Sequence, residues 1–229
     1  MSEASPPPRP AGLPNGAAAH RSVPEPEQNV EYRAAYFSDS LDIARFICVA
    51  GGGLYEFLFD GIVPFMTATE FLAAGVAGED APISHHNCQV AVDRADGRML
   101  GAANAFPADL LSAETYPLLP RERHEHIRPM LELQDWGSMF LNALAVGEAC
   151  RGRGIGNRLL GWAATRAQEL GFDRLSLHVW ADNTGARDFY KARGFVELGL
   201  AQIAAHPRLA HNCGSVLMSL RLPRHRGMR

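Results

Sequence analysis

No part of this chain is more constraining than the stretch from Met139 to Leu170, where a strand, a glycine-rich loop and an amphipathic helix follow one another directly. Met139 to Val146 is an apolar run with the length of a buried strand, and Asn142 is its only strongly polar side chain. Ile155, Leu159, Ala163, Ala167 and Leu170 recur on one helical face. Gly171 stands where the end of that helix needs a positive φ. Between strand and helix lies Gly147-Glu148-Ala149-Cys150-Arg151-Gly152-Arg153-Gly154-Ile155-Gly156. A helix N-terminus offers unpaired N–H groups and the positive end of the helix dipole. Glycines let a ligand come close to that backbone, and two arginines add charge that persists at any accessible pH. The dipole contributes roughly 0.3–2 kcal/mol and each charge-assisted hydrogen bond about 1.5–3 kcal/mol. A pyrophosphate is an anion this loop can anchor.

The glycines by themselves leave several readings open. A Walker loop requires Lys-Ser or Lys-Thr after the last glycine, and neither follows. A dinucleotide fingerprint requires G-x-G-x-x-G, whereas the spacing here is G-x-G-x-G. Asp182 could imitate the ribose-binding acid of that fingerprint, but too few residues follow it to complete a doubly wound sheet. A tight turn without a ligand stays as open as an anion site at this point.

The rest of the chain reads as a mixed α/β domain, strand-rich at both ends. Val30 to Phe37 is a first strand. A helix capped by Ser38 or Asp39 runs to Val49, with Leu41, Ala44, Arg45 and Cys48 in helical spacing, and Gly51-Gly52-Gly53 ends it. A loop through Tyr55 and Phe57, given mobility by those glycines, is expected to face a substrate. Helix resumes over Thr69–Ala77. Asn87–Asp93 and Met99–Phe106 form a hairpin around Asp96-Gly97. Ser112–Leu119 and Arg121–Leu131 are helical, Arg174–Trp180 alternates as a strand, and Thr184–Arg193 is a short helix stopped by Gly194. Phe195–Leu200 and Val216–Leu220 are closing strands. Residues 1–28, proline-rich and poor in large apolar side chains, cannot offset their ordering entropy and are expected to be a disordered tail. One domain over 29–222 and a basic tail over 223–229 complete the organisation.

Composition limits the partners. Formal net charge is −3 and hydrophobic residues make up 47%, so a core of ordinary size forms and the basic footprint of a nucleic-acid binder is missing. No stretch approaches the roughly 18 apolar residues of a membrane span. Cys48, Cys88, Cys150 and Cys213 form no C-x-x-C pair, which fits a reducing, cytoplasmic compartment. His85-His86 and His124-x-His126 lack a completing cysteine or acid, and no metal site is expected.

Two motifs at matching distance resolve the loop. Arg151, Gly154 and Gly156 fill the pattern [QR]-x-x-G-x-[GA] directly after the strand ending Ala-Leu-Ala-Val. Downstream stand Asn183, Ala186, Phe189-Tyr190 and Gly194-Phe195. Together they resemble the acetyl-CoA motif and following helix of the GNAT superfamily of N-acetyltransferases, over about Leu141–Leu200. The resemblance implies a central, twisted, mostly antiparallel sheet with a splayed parallel pair of strands and flanking helices. It implies that backbone groups of Leu144, Ala145 and Val146 pair with the pantetheine arm of acetyl-CoA, a form of strand addition. It implies that N–H groups of Arg151, Gly152, Arg153, Gly154, Ile155 and Gly156 take the pyrophosphate, and that Asn183 contacts the cofactor or orders the next helix.

The implied reaction is direct attack of a primary amine, on a small molecule or a peptide, on the thioester. Near pH 7.4 only about one lysine-type amine in a thousand is neutral, a cost of roughly 4 kcal/mol, and an α-amine costs far less. A general base is therefore most needed for the first kind. Tyr190 matches the family tyrosine that protonates the leaving thiolate, and packing is its alternative role. The base is left open among Glu132 and Asp135, just upstream of the loop's strand, and His178 on the following one. Glu148 shapes the loop. Trp136 and Tyr116 are candidates to line an acceptor pocket. A non-catalytic acyl-CoA-binding module is the competing function, and homodimerisation is left open.

Overall fold

In the computed structural model, which describes residues 29–111 and 118–223, seven strands form one sheet. They are β1 (Val30–Ala34), β2 (Cys88–Asp93), β3 (Met99–Pro107), β4 (Met139–Val146), β5 (Arg174–Trp180), β6 (Val196–Ala201) and β7 (Ser215–Arg221), in the order β1-β2-β3-β4-β5-β7-β6. Every neighbouring pair is antiparallel except β4 and β5, which run parallel. The expected sheet, with a single parallel pair, is present. The expectations for residues 1–28, 112–117 and 224–229, Tyr116 among them, lie outside the described residues.

Helices cover both faces because the strands alternate. On β2, Val90 and Val92 join one core with α1 (Ser40–Gly51), α2 (Leu54–Phe59) and α3 (Ala68–Ala77). Ala91 between them joins a second core with α5 (Ile155–Glu169). Ile155, Leu159, Ala163 and Ala167 are the buried face of α5, as the periodicity requires. Leu170 is left exposed beyond the helix, and Gly171 adopts φ +86°. The buried face of α1 is Ser40, Ile43, Ala44, Ile47 and Cys48, so it is rotated from the expected one and Leu41 is exposed. Asp39 is the N-cap residue of α1, but its side chain makes no capping hydrogen bond. Its carboxylate turns back to the Arg33 guanidinium and the Tyr36 N–H, which together hold it below the usual carboxylate range although burial acts the other way.

The glycine run carries a feature that the sequence reading missed. Gly52 and Gly53 both take left-handed conformations, with φ +56° and +92°. They do not open a mobile substrate loop. They reverse the chain into α2, in which Tyr55 and Phe57 are buried. The run LYEFLF is apolar nearly all round and only six residues long, so it has no 3.6-residue pattern to reveal it. α4 (Arg121–Glu132) packs on α2 through Ile127, and α6 (Thr184–Lys191) follows β5.

A β-bulge in β4 shapes what lies between the layers. Asn104 of β3 pairs with Ala143 and Ala105 pairs with Leu141, which leaves Asn142 as the extra residue. The bulge switches the face on which side chains fall. Met139 and Leu141 belong to the α5 core before it; Leu144 and Val146 pack on that core after it, while Ala143 belongs to the α1 side. Pairing between β4 and β5 is confined to Met139–Leu175 and Phe140–Ser176. The buried Ser138 and Ser176 hydroxyls, 2.7 Å apart, tie that closed end. Beyond Phe140 the two strands part.

Candidate active site

The V between β4 and β5 opens into a cleft of about 490 Å³, in the range of small-molecule sites. Leu144, Ala145 and Val146 form one wall. They are hydrogen-bonded to β3 on one side and unpaired with β5 on the other, so a row of main-chain groups faces the cleft. Arg151 and Gly156 lie at one end, with Asn183, Ala186, Phe189 and Tyr190 opposite. The far end is built by α1, α2 and α4, with Leu54, Tyr55, Leu58, Ile127, Met130 and Leu131.

The glycine loop has the form of an anion cradle. Gly152 and Gly154 take φ +76° and +84°, and Gly154 is the N-cap of α5. Among the described residues, the successive N–H groups from Gly152 to Gly156 have no acceptor within the protein. No acidic side chain occupies the first turn of α5, so these donors and the helix dipole have no internal anion beside them, and Arg151 and Gly156 bring the loop to the cleft. A Cβ on Gly156 would lie 3.7 Å from both Phe189 and Val146, which places this backbone at the junction of α5, β4 and α6. A pyrophosphate fits this donor set, and an extended pantetheine fits the unpaired edge of β4.

Asn183 caps α6, its Oδ1 accepting from the Ala186 N–H at 3.1 Å. Arg193, which was not among the expected site residues, joins the two helices of the site. It donates to Asn157 of α5 at 2.7 Å and to the Phe189 carbonyl at 2.5 Å, and its guanidinium lies 3.5 Å from the centre of the Phe189 ring. Tyr190 packs edge-on against Phe189 and Phe195. Burial raises its pKa above the ordinary tyrosine value, outweighing nearby Arg193. It keeps its proton.

Of the three residues among which the base was left open, His178 lines the cleft and Glu132 and Asp135 do not. Asp135 is buried away from it, where Arg174 and the Ser219 hydroxyl hold both carboxylate oxygens. Glu132 lies on the outer face of α4, its side chain 65% exposed and 3.6 Å from Arg128. Neither is among the residues lining the cleft. Trp136 is likewise outside, 47% exposed. His178 does line the cleft, but both its ring nitrogens are engaged. Nε2 lies 2.8 Å from the Leu133 carbonyl, and Nδ1 lies 3.1 Å from the Ser215 hydroxyl. The carbonyl can only accept, so Nε2 carries the hydrogen. Burial pushes the pKa of His178 down to about 4, which makes it a weak proton acceptor at neutral pH. The described residues contain no cluster of three or more potential metal ligands, and none of their helices is long and apolar enough to cross a membrane.

The strand order and the single splayed parallel pair define the fold seen in acetyltransferase structures. The sequence profile of the acetyltransferase (GNAT) family matches residues 64–195, more than half of the chain. The chain belongs to this family of acetyltransferase enzymes, which use acetyl-CoA. It is 32% identical over 118 residues to N-alpha-acetyltransferase 40 of Saccharomyces cerevisiae, covering 48% of this chain and 39% of that protein. It is 28% identical over 116 residues to "Putative phosphinothricin acetyltransferase YwnH" of Bacillus subtilis, covering 40% of this chain and 71% of that one. A crystal structure described only as an acetyltransferase superposes with a TM-score of 0.60 at 23% identity, over 84% of this chain and all of the other.

Proposed function

We propose that this protein transfers the acetyl group of acetyl-CoA to a primary amine of a small molecule or a peptide by direct attack. The observation that carries the proposal is the row of N–H groups from Gly152 to Gly156 without an internal acceptor, continuous with the unpaired edge of β4. Those N–H groups and Arg151 bind the pyrophosphate, and Leu144, Ala145 and Val146 bind the pantetheine arm along β4. Arg153 adds charge beside the loop. Acetyl-CoA supplies an activated acyl group as a thioester. Asn183 holds α6 so that Tyr190 faces the cleft. Tyr190, kept neutral by burial, donates its proton toward the departing sulfur. The amine nitrogen bonds to the acyl carbon as the carbon–sulfur bond breaks, and it loses one proton to water, from which the Tyr190 phenolate regains its own, since no described carboxylate lines the cleft. An amine of low pKa meets this site most readily, because less of it must be deprotonated first.

Two measurements test the reading. Release of CoA is followed with a library of primary amines, and at least one is expected to be acetylated. Tight CoA binding with no turnover of any amine would instead support a non-catalytic binding module. Gly154→Asp places a carboxylate in the cradle at a backbone position that disfavours any side chain. It is expected to raise the acetyl-CoA Kd by at least about tenfold, equivalent to about 1.4 kcal/mol. Unchanged affinity by isothermal titration would refute the loop assignment.

A further inference from the structure

The connection between β6 and β7, residues 202–214, lies against two separate walls of the cleft. On one side it is seated on α2. Ile203 and Leu209 are buried in the same core as Leu54 and Phe57, and the Arg208 guanidinium donates to the Glu56 carbonyl at 2.9 Å. On the other side it reaches the turn that joins β5 to α6. There the His211 ring stacks on the Trp180 indole, with centroids 5.0 Å apart and planes 15° from parallel. The His211 Nδ1 lies 2.6 Å from Asp182 Oδ1. A carboxylate only accepts, so Nδ1 carries the hydrogen.

Trp180 is also held at its polar edge. Its indole N–H donates to the Gly51 carbonyl at 2.8 Å, so the ring spans from β5 to the end of α1. Gly52 makes room for the stack. At φ +56° it already favours glycine, and a Cβ there would lie 2.7 Å from His211 Nε2 and 3.3 Å from the Trp180 ring. Asp182 stands in the turn itself. The Asn183 N–H donates to the Trp180 carbonyl at 3.0 Å, and the Thr184 N–H to the Asp182 carbonyl at 2.9 Å. Gly51, Trp180 and Asn183 all line the cleft, and Asp182 and His211 grip them from behind.

We infer that the Asp182–His211 pair is a clasp that positions the β5–α6 wall of the cleft opposite the β4 edge, and that the affinity for acetyl-CoA depends on it. This rests on the acetyl-CoA reading of the same cleft and adds Asp182 and His211 to it as positioning residues. The physical reason is the shape of the V. β4 and β5 pair only at Met139–Leu175 and Phe140–Ser176, so side chains and loops set their separation at the open end, where Trp180 and Asn183 stand. β7 holds β5 as far as Trp180, opposite Ser215. Beyond it the wall turns into α6, and the clasp ties that turn to the 202–214 connection. An indole free to swing, or an α6 start free to move outward, widens the gap that the pantetheine arm bridges.

The test uses the full chain with acetyl-CoA as the probe and His211→Ala, Asp182→Ala and Asp182→Asn as variants. In Asp182→Asn the side-chain oxygen still accepts from Nδ1. Titration calorimetry is expected to show the acetyl-CoA Kd raised by at least about fivefold in both alanine variants, the scale of one lost hydrogen bond. The conservative Asp182→Asn is expected to stay within about twofold of wild type. Trp180, 6% exposed, supplies a spectroscopic readout. Acrylamide quenching of its emission, isolated by difference from Trp180→Phe, is expected to rise in His211→Ala and to stay low in Asp182→Asn. Circular dichroism and the melting temperature show which variants are folded. Where His211→Ala is not, His211→Phe keeps a ring, removes the donor and is expected to show the same rise in Kd. A Kd unchanged in the folded variants that break the pair, or quenching unchanged in His211→Ala, overturns the inference. Failure of acetyl-CoA to bind the wild type removes instead the reading on which the inference rests.

Discussion

Tyr190 and Asp135 show how differently two polar residues are used once the chain is folded. Tyr190 is buried beside the cleft with its proton retained, so its proposed contribution is kinetic. Tyr190→Phe is expected to lower kcat by about 100-fold or more, the usual scale for losing a general acid, while the acetyl-CoA Kd by titration calorimetry and the melting temperature stay unchanged. Asp135 instead bridges Arg174 of β5 and Ser219 of β7. Asp135→Ala leaves both donors without their acceptor and is expected to cost about 2–3 kcal/mol in urea denaturation, with kcat/KM unchanged at temperatures where the variant is folded. A variant that folded normally but lost turnover would restore Asp135 as a base. In sequence Tyr190 matched the tyrosine of the family motif, whereas Asp135 was one of several titratable groups near it, and only the closure of β5 against β7 shows what Asp135 touches.

At the scale of elements, α5 joins the glycine loop to the core. Its N-terminus carries the donors, and Leu159 in its middle is fully buried against the sheet. Leu159→Ala is expected to destabilise the fold by about 2–5 kcal/mol by chemical denaturation, from lost transfer energy and the cavity left behind. A cost below about 1 kcal/mol would show that α5 is not seated on the sheet as described. The boundaries of β4, β5 and α5 were readable because each has a clean period and a glycine or charge at its end. α2 was not, since a short helix buried nearly all round looks like any apolar run. The bulge at Asn142 was also hidden. It arises from the register between β3 and β4, which one strand's own sequence does not specify.

For the molecule as a whole, His178 couples the cleft to stability. Its folded pKa, about 4, lies below the 6.5 of an unperturbed histidine because burial disfavours the charged form. Between those values the unfolded chain binds a proton that the native one does not. The contribution of His178 is therefore complete above about pH 6.5 and is lost as pH falls toward 4. Its full size is on the order of 3 kcal/mol. Urea denaturation of wild type and His178→Gln at pH 7 and pH 4.5 is expected to show a fall in wild type that the variant lacks in part. Parallel falls in both would place the pH dependence elsewhere.

The loop Arg151–Gly156 as a glycine-rich turn, the helix it opens and the family were legible in the residues themselves. Anion binding at a helix start depends on neighbours in sequence: glycines that allow positive φ, a helix dipole, and a strand ending at a fixed distance. The end of the cleft lined by α2 and α4 was decided by the tertiary structure. Tyr55, Asn142 and Asn104 come from α2, β4 and β3, and their hydrogen-bond directions are set by a carbonyl at Asn87. Arg193 becomes a clip, and Asp135 a buried bridge, only when distant elements pack. Local geometry is encoded within a few residues, whereas the polarity of a cleft depends on which side chains long-range packing brings face to face.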